Sequence, residues 1–158
     1  MTRAKENDRF LMCRIGSHIG ALALKHVWET MRPLSVQPLT GAPAFVLGLA
    51  IVRGVPTPVV DACRLLDPLA SSSMLSPARF VSIRLGERCA ALAVDAVIEV
   101  RSFAAGTLAE IPPLLRGAAT DLVSAIGALD AELLLVLEAA RLIPESVWSA
   151  VDASGVSA

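Results

Sequence analysis

The sequence predicts an all-β fold, mainly strands with short helices, built as two small five-stranded barrels that are copies of one another packed back to back. Three observations predict it. The chain aligns with itself without gaps over a long stretch. Each half breaks into apolar runs of strand length separated by tight glycine turns. No segment has the length and periodicity of a long helix.

The repeat is clearest when 9–31 is set over 79–101, an offset of 70. Nine positions coincide there: Arg9/Arg79, Phe10/Phe80, Arg14/Arg84, Gly16/Gly86, Ala21/Ala91, Leu22/Leu92, Ala23/Ala93, Val27/Val97 and Glu29/Glu99. A weaker match sets 46–66 over 123–143, an offset of 77, with Val46/Val123, Val59/Val136, Ala62/Ala139, Arg64/Arg141 and Leu65/Leu142 in common and Asp61 facing Glu138. The growth of the offset places about seven extra residues of the second half around 104–120. Chance likeness between apolar strands accounts for the weaker match but not for the ungapped stronger one.

Each half then reads alike. Phe10–Ile15 and Phe80–Leu85 are strand-like, Gly16-Ser17-His18 and Gly86-Glu87-Arg88 are turns, and Ile19–Leu24 and Cys89–Val94 return as second strands. A short polar–apolar segment follows, Lys25–Met31 and Asp95–Arg101, then a loop marked by Pro33, Pro38 and Pro43 in the first half and by Pro112 and Pro113 in the second. Two further strands are expected in each half, Phe45–Val52 with Val55–Val60 and Ser124–Leu129 with Glu132–Leu137, turning at Arg53-Gly54 and Asp130-Ala131. Each half closes in a short helix, Asp61–Leu66 or Glu138–Ile143, and Asp61 has the chemistry of a helix cap. The expected organisation is an arm at 1–8, a first barrel over about 9–66, a linker at 67–77, a second barrel over about 79–144 and a partly helical tail at 145–158. In that tail Val147, Trp148 and Val151 form one apolar face. A barrel of this size buries too little surface to be secure alone, so an apolar seam between the two is expected.

Composition narrows the function classes. The chain has 158 residues, 54% hydrophobic and 18% charged, with a formal net charge of -1. Its basic residues form no run, and four Phe, two Trp and no Tyr make a poor base-stacking platform, so nucleic acid is not an expected partner. Mean hydropathy is high, +0.63, but the most apolar stretches, Ala44–Val52 and Leu133–Leu137, are far shorter than a membrane span. The start, with Arg3, Lys5, Glu6, Asp8 and Arg9, is not a secretory leader. A cytoplasmic protein without direct membrane insertion is expected.

Catalytic chemistry finds little footing. Cys13, Cys63 and Cys89 have no metal-binding spacing and an odd count, and each lies in an apolar pattern that reads as core. The histidines, His18 and His26, are too few for a zinc site with dispersed cysteines, and a Cys13–His18 pair would lack an orienting acid. Phosphate-loop, dinucleotide and zinc-protease motifs are missing, and the carboxylates are mostly solitary. No catalytic residue, cofactor or metal is assigned. A thiol or hydrolytic enzyme survives as an alternative only if Cys13 or Cys89 is exposed and reactive. Without catalytic groups, the expected product is a surface: sheet edges and an inter-barrel groove suited to a partner's strand or helix.

These residues resemble the CheW-like adaptor domain of bacterial chemotaxis, whose barrels are SH3-like. The resemblance rests on Gly41–Asp61, in which Pro43, Gly48, Arg53, Gly54, Pro58, Val59, Val60 and Asp61 match a family pattern. It is supported by Leu92-Ala-Val-Asp95-Ala-Val97 and by Leu133–Leu142, and covers about Arg9 to Pro144. It implies a non-catalytic adaptor linking a chemotaxis-type histidine kinase, through the kinase's own CheW-like regulatory domain, to the cytoplasmic tips of helical chemoreceptors. Carried over by position, the receptor-facing candidates are Val27, Glu29, Gly48, Arg53 and Gly54. Val55, Pro56 and Val59 are kinase-side candidates on an exposed edge. Two departures stand out. Ile51 replaces the Asn usual two residues before the Arg, which puts the turn geometry in question. Trp28 replaces a usual polar residue and adds an apolar handle. They keep open a second reading, a receptor-independent CheW-like regulatory subunit of a non-motility pathway.

Overall fold

The computed structural model describes residues 9–66, 79–103, 108–110, 122–129 and 132–153. The expected arm 1–8, the linker 67–77, Pro112 with Pro113, most of the inserted stretch around 104–120, the Asp130-Ala131 turn and the tail beyond 153 lie outside the described residues.

The described strands of the first half are β1 (Arg9–Ile15), β2 (His18–Ala23), β3 (Val27–Met31), β4 (Val46–Val52) and β5 (Val55–Asp61). Those of the second are β6 (Arg79–Leu85), β7 (Arg88–Val94), β8 (Ala96–Ser102), β9 (Val123–Leu129) and β10 (Glu132–Leu137). Short helices α1 (Ala62–Leu66) and α2 (Ala139–Leu142) follow β5 and β10, and α3 (Glu145–Ala153) ends the described chain. The polar–apolar segments after the first hairpins are the fifth strands, β3 and β8; in the first half a 3-10 turn, Leu24–His26, leads into β3. Asp61 accepts hydrogen bonds at Oδ1 from the amides of Cys63 (3.0 Å) and Arg64 (3.4 Å), which ends β5 and starts α1.

The strands form two five-stranded sheets, ordered β8-β1-β2-β10-β9 and β3-β6-β7-β5-β4. This corrects the expected boundaries of the barrels. Neither barrel is a contiguous half, 9–66 or 79–144. The first hairpin of each half pairs with the remaining strands of the other half. The crossing is secured where β7 passes into β8: the Asp95 amide donates to the Arg14 carbonyl (2.9 Å), and Asp95 Oδ2 accepts from the Gly16 amide (2.8 Å). Both contacts reach from the second half to the first.

The registers repeat the sequence offsets. Phe10 pairs with Ala23 as Phe80 pairs with Ala93, and Val136 lies beside Ala21 as Val59 lies beside Ala91. Even the bulges coincide. Trp28 is skipped between Val27↔Ile83 and Glu29↔Ser82, and Ile98 is skipped between Cys13↔Val97 and Met12↔Glu99.

The core has three parts. Phe10, Met12, Ile19, Ala21, Leu134 and Val136 fill one barrel, and Ala50, Val59, Phe80, Ala91 and Ala93 fill the other. The alternate residues of the same strands, among them Leu11, Cys13, Leu22, Val60, Val81, Ile83, Leu92 and Leu137, meet in a larger seam between the barrels. Leu65, Leu142, Val147 and Trp148 from the three helices cover that seam. Successive side chains of a strand point to opposite faces, so a strand with a barrel interior on one face and the seam on the other is apolar throughout. That is why these strands show no polar alternation.

Because each sheet contains strands of both halves, the barrels cannot unfold separately. Leu92→Ala in the seam is expected to cost about 2–5 kcal/mol. The loss should appear as one transition, with far-UV circular dichroism and amide exchange in β1 and β6 reporting the same midpoint. A variant in which one sheet melts while the other stays protected would contradict the shared core.

Candidate functional site

Edge strand β3 and the β4–β5 turn come together at one corner of the second sheet. The turn is short, and both of its central residues take positive φ, Arg53 at 51° and Gly54 at 78°. That is the backbone of a two-residue hairpin turn whose twist matches the strands. The turn keeps this form with Ile51 in place of Asn; Ile51 itself points into solvent, 60% exposed. Gly54 supplies left-handed backbone at little cost, whereas Arg53 bears a steric penalty of about 1–2 kcal/mol.

Arg53 is held in place by Glu29. Its Nε donates to Glu29 Oε1 (2.7 Å) and its Nη2 to Glu29 Oε2 (2.9 Å), a two-pronged pair between solvent-facing side chains. The pair ties the β4–β5 turn to edge strand β3. Hydrogen bonding to Arg53 holds the Glu29 carboxyl below its ordinary value, and the same contact raises Arg53. Beside them Trp28 stands out from its bulge, 42% exposed. The guanidinium carbons of Arg53 and Arg84 lie 5.2 Å and 5.3 Å from the centre of its ring.

Of the receptor-side candidates, Glu29, Arg53 and Gly54 thus converge, with Val27 two residues from Glu29 and half-buried against the seam. Gly48 is different. It lies inside β4 at φ 142°, where a Cβ would collide with the Gln37 carbonyl oxygen, and Leu49 pairs with Gln37 in both directions at 2.8 Å. Its absent side chain lets the proline-rich loop lie against the strand. On the other side of the turn Val55 is exposed and Pro56 half-buried. Val59 does not lie on an exposed edge: it is fully buried in the barrel interior, and β5 runs between β4 and β7. Arg84 is not among the sequence-based candidates; its coincidence with Arg14 in the repeat is the one trace it leaves in the sequence.

Cys63 and Cys89 are half-buried rather than core residues, and the thiol alternative loses Cys13. Cys13 is fully buried in the seam, and burial pushes its pKa from 9.0 up to about 12. Among the described residues no three His, Cys, Asp or Glu gather as metal ligands, and no helix is long and apolar enough to cross a membrane. An open groove of about 930 Å³ runs past Phe45, Leu65, Leu85, Leu122 and Trp148. Its lining is mostly apolar and carries neither histidine.

Residues 9–147 match the CheW-like domain family. The chain is similar to the chemotaxis protein CheW of Klebsiella aerogenes, 24% identical over 145 residues, which covers 92% of this chain and 87% of that protein. The crystal structure of the scaffolding protein TtCheW from Thermoanaerobacter tengcongensis has the same fold, with a TM-score of 0.72 at 21% identity, over 83% of this chain and 88% of that one.

Two outcomes test this geometry. Gly48→Ala is expected to destabilise by about 3 kcal/mol or more through strain and collision. Gly54→Ala, with open space around the added carbon, should cost about 1 kcal/mol. Urea midpoints of the two variants check the order. Cys13 should resist thiol reagents until the protein unfolds. Its raised pKa also means that the unfolded chain loses this proton first between pH 9.0 and about 12, so stability falls as pH rises through that window. Labelling of native Cys13 faster than unfolding would contradict the burial.

Proposed function

Because the chain belongs to the CheW-like domain family, we propose that it is a non-catalytic cytoplasmic adaptor that couples chemoreceptors to a chemotaxis-type histidine kinase. The supporting observation is the corner itself. Glu29 and the Arg53-Gly54 turn, residues carried over from the family pattern, come from separate segments and meet in one ordered, exposed arrangement. Such an arrangement suits recognition of another protein. A planar guanidinium fixed on both sides loses little freedom when a partner arrives, and an exposed indole adds apolar contact.

On this reading the receptor's cytoplasmic tip meets Val27, Glu29, Arg53 and Gly54, with Gly48 acting through the backbone behind them. The kinase's CheW-like regulatory domain meets the β4–β5 hairpin at Val55 and Pro56. Recruitment to membrane-bound receptor arrays follows from receptor binding.

Arg53→Glu tests the assignment, because it places two carboxylates where a bonded pair now stands. Receptor-fragment binding should weaken at least tenfold while the isolated kinase regulatory domain still binds. Loss of kinase binding with receptor binding intact would reverse the two sides. If both partners bind as before, the corner is not an interface.

A further inference from the structure

The internal duplication supplies a control for each surface arginine. Arg14 and Arg84 occupy the same place in the two copies, each next to its hairpin turn and in the same register with the returning strand, Arg14↔Ile19 and Arg84↔Cys89. Their surroundings differ. Arg14 is gripped by both oxygens of Glu132, at the start of β10. The counterpart of Glu132, 77 residues earlier, is Val55 at the start of β5, an exposed apolar residue. Arg84 is exposed, and among the described residues no carboxylate pairs with it. Its Nε donates to the Gly86 carbonyl (3.1 Å), and its guanidinium lies over Trp28.

The balance of charge differs accordingly. At the corner of the second sheet, Arg53 and Arg84 share the Trp28 ring, and the Glu29 carboxylate there is engaged by Arg53. At the corresponding corner of the first sheet, among the described residues, Arg14 pairs with Glu132 and Glu99 with Arg101. Arg84 is exposed and its guanidinium lies over the Trp28 ring. A cation stacked on an aromatic ring, beside exposed apolar surface, favours a carboxylate arriving from outside.

We infer that Arg84 and Trp28 form a docking anchor for a protein segment that presents a carboxylate beside an apolar side chain, the carboxylate taking against Arg84 the place that Glu132 takes against Arg14. This rests on the reading that the corner faces the receptor, and it commits the partner to the receptor's cytoplasmic tip. The apolar side chain of that segment lies on Trp28, which is exposed beside Arg84. The anchor is specific to the second sheet, because in the first the same cation is already satisfied within the chain.

The test is titration of a chemoreceptor cytoplasmic fragment into the full chain and into Arg84→Glu, Val55→Glu and Arg53→Glu. Arg84→Glu should weaken binding at least tenfold and reduce its salt dependence. Val55→Glu should weaken it comparably, because it reproduces the internal pair seen at Glu132 and neutralises Arg84. Reversal of the partnering carboxylate to Lys on the receptor fragment should restore binding to Arg84→Glu. Unchanged melting temperatures separate these effects from misfolding. If Arg84→Glu and Val55→Glu bind normally while Arg53→Glu does not, the anchor is wrong and the receptor-facing corner stands. If Arg53→Glu also binds normally, the reading beneath it falls too. If Arg84→Glu weakens the kinase regulatory domain and spares the receptor fragment, the inferred partner is overturned.

Discussion

The apolar seam between the barrels is the constraint on which the rest of the structure depends. A five-stranded barrel of some fifty residues encloses only a handful of side chains, too few to offset the entropy of ordering its chain. Here Leu11, Leu22, Val60, Val81, Leu92 and Leu137 point away from the barrel interiors and into a third core shared by both sheets. The helices add Leu65, Leu142, Val147 and Trp148 to the same core. Arg88 helps to seat the last helix, since it pairs with Glu145 (3.0 Å) and lies over the Trp148 ring (5.1 Å).

Exchange of the first hairpins makes the seam inseparable from the sheets. Each sheet takes strands from both halves of the chain, so the register of one half is set by the other. The corner of β3 and the β4–β5 turn inherits that rigidity. β3 is fixed through β6, which belongs to the second half, while the β4–β5 turn is fixed through β7. Glu29 and Arg53 meet because the five strands of this sheet hold them in place, and the adjacent Arg84 comes from one of those strands. The surface is therefore preorganised without a cavity, as suits a protein that works by holding partners in register.

Much of this was legible in the sequence. The ungapped offset found the duplication, and the observed strand pairings reproduce it residue for residue. Glycine and Arg-Gly turns marked the hairpins, and the paired apolar faces implied a seam. Three features were not legible. The exchange of hairpins was hidden because strands adjacent in sequence usually pair, and composition does not say which sheet a hairpin joins. The burial of Val59 was hidden because a strand buried on both faces has no polar alternation to mark its inward side. Arg84 carried no signal until the Arg14–Glu132 pair showed what its counterpart lacks, since the difference lies in Val55, far along the chain.

The central claim is that the protein acts through the outer corner of a rigid double barrel. Amide hydrogen exchange with and without a chemoreceptor cytoplasmic fragment tests it most directly. New protection is expected in 27–31, 52–56 and 84–88, with the strands of the seam already slow and unchanged. Protection confined to the groove beside Trp148, or none at the β3 and β4–β5 corner under saturating fragment, would contradict it.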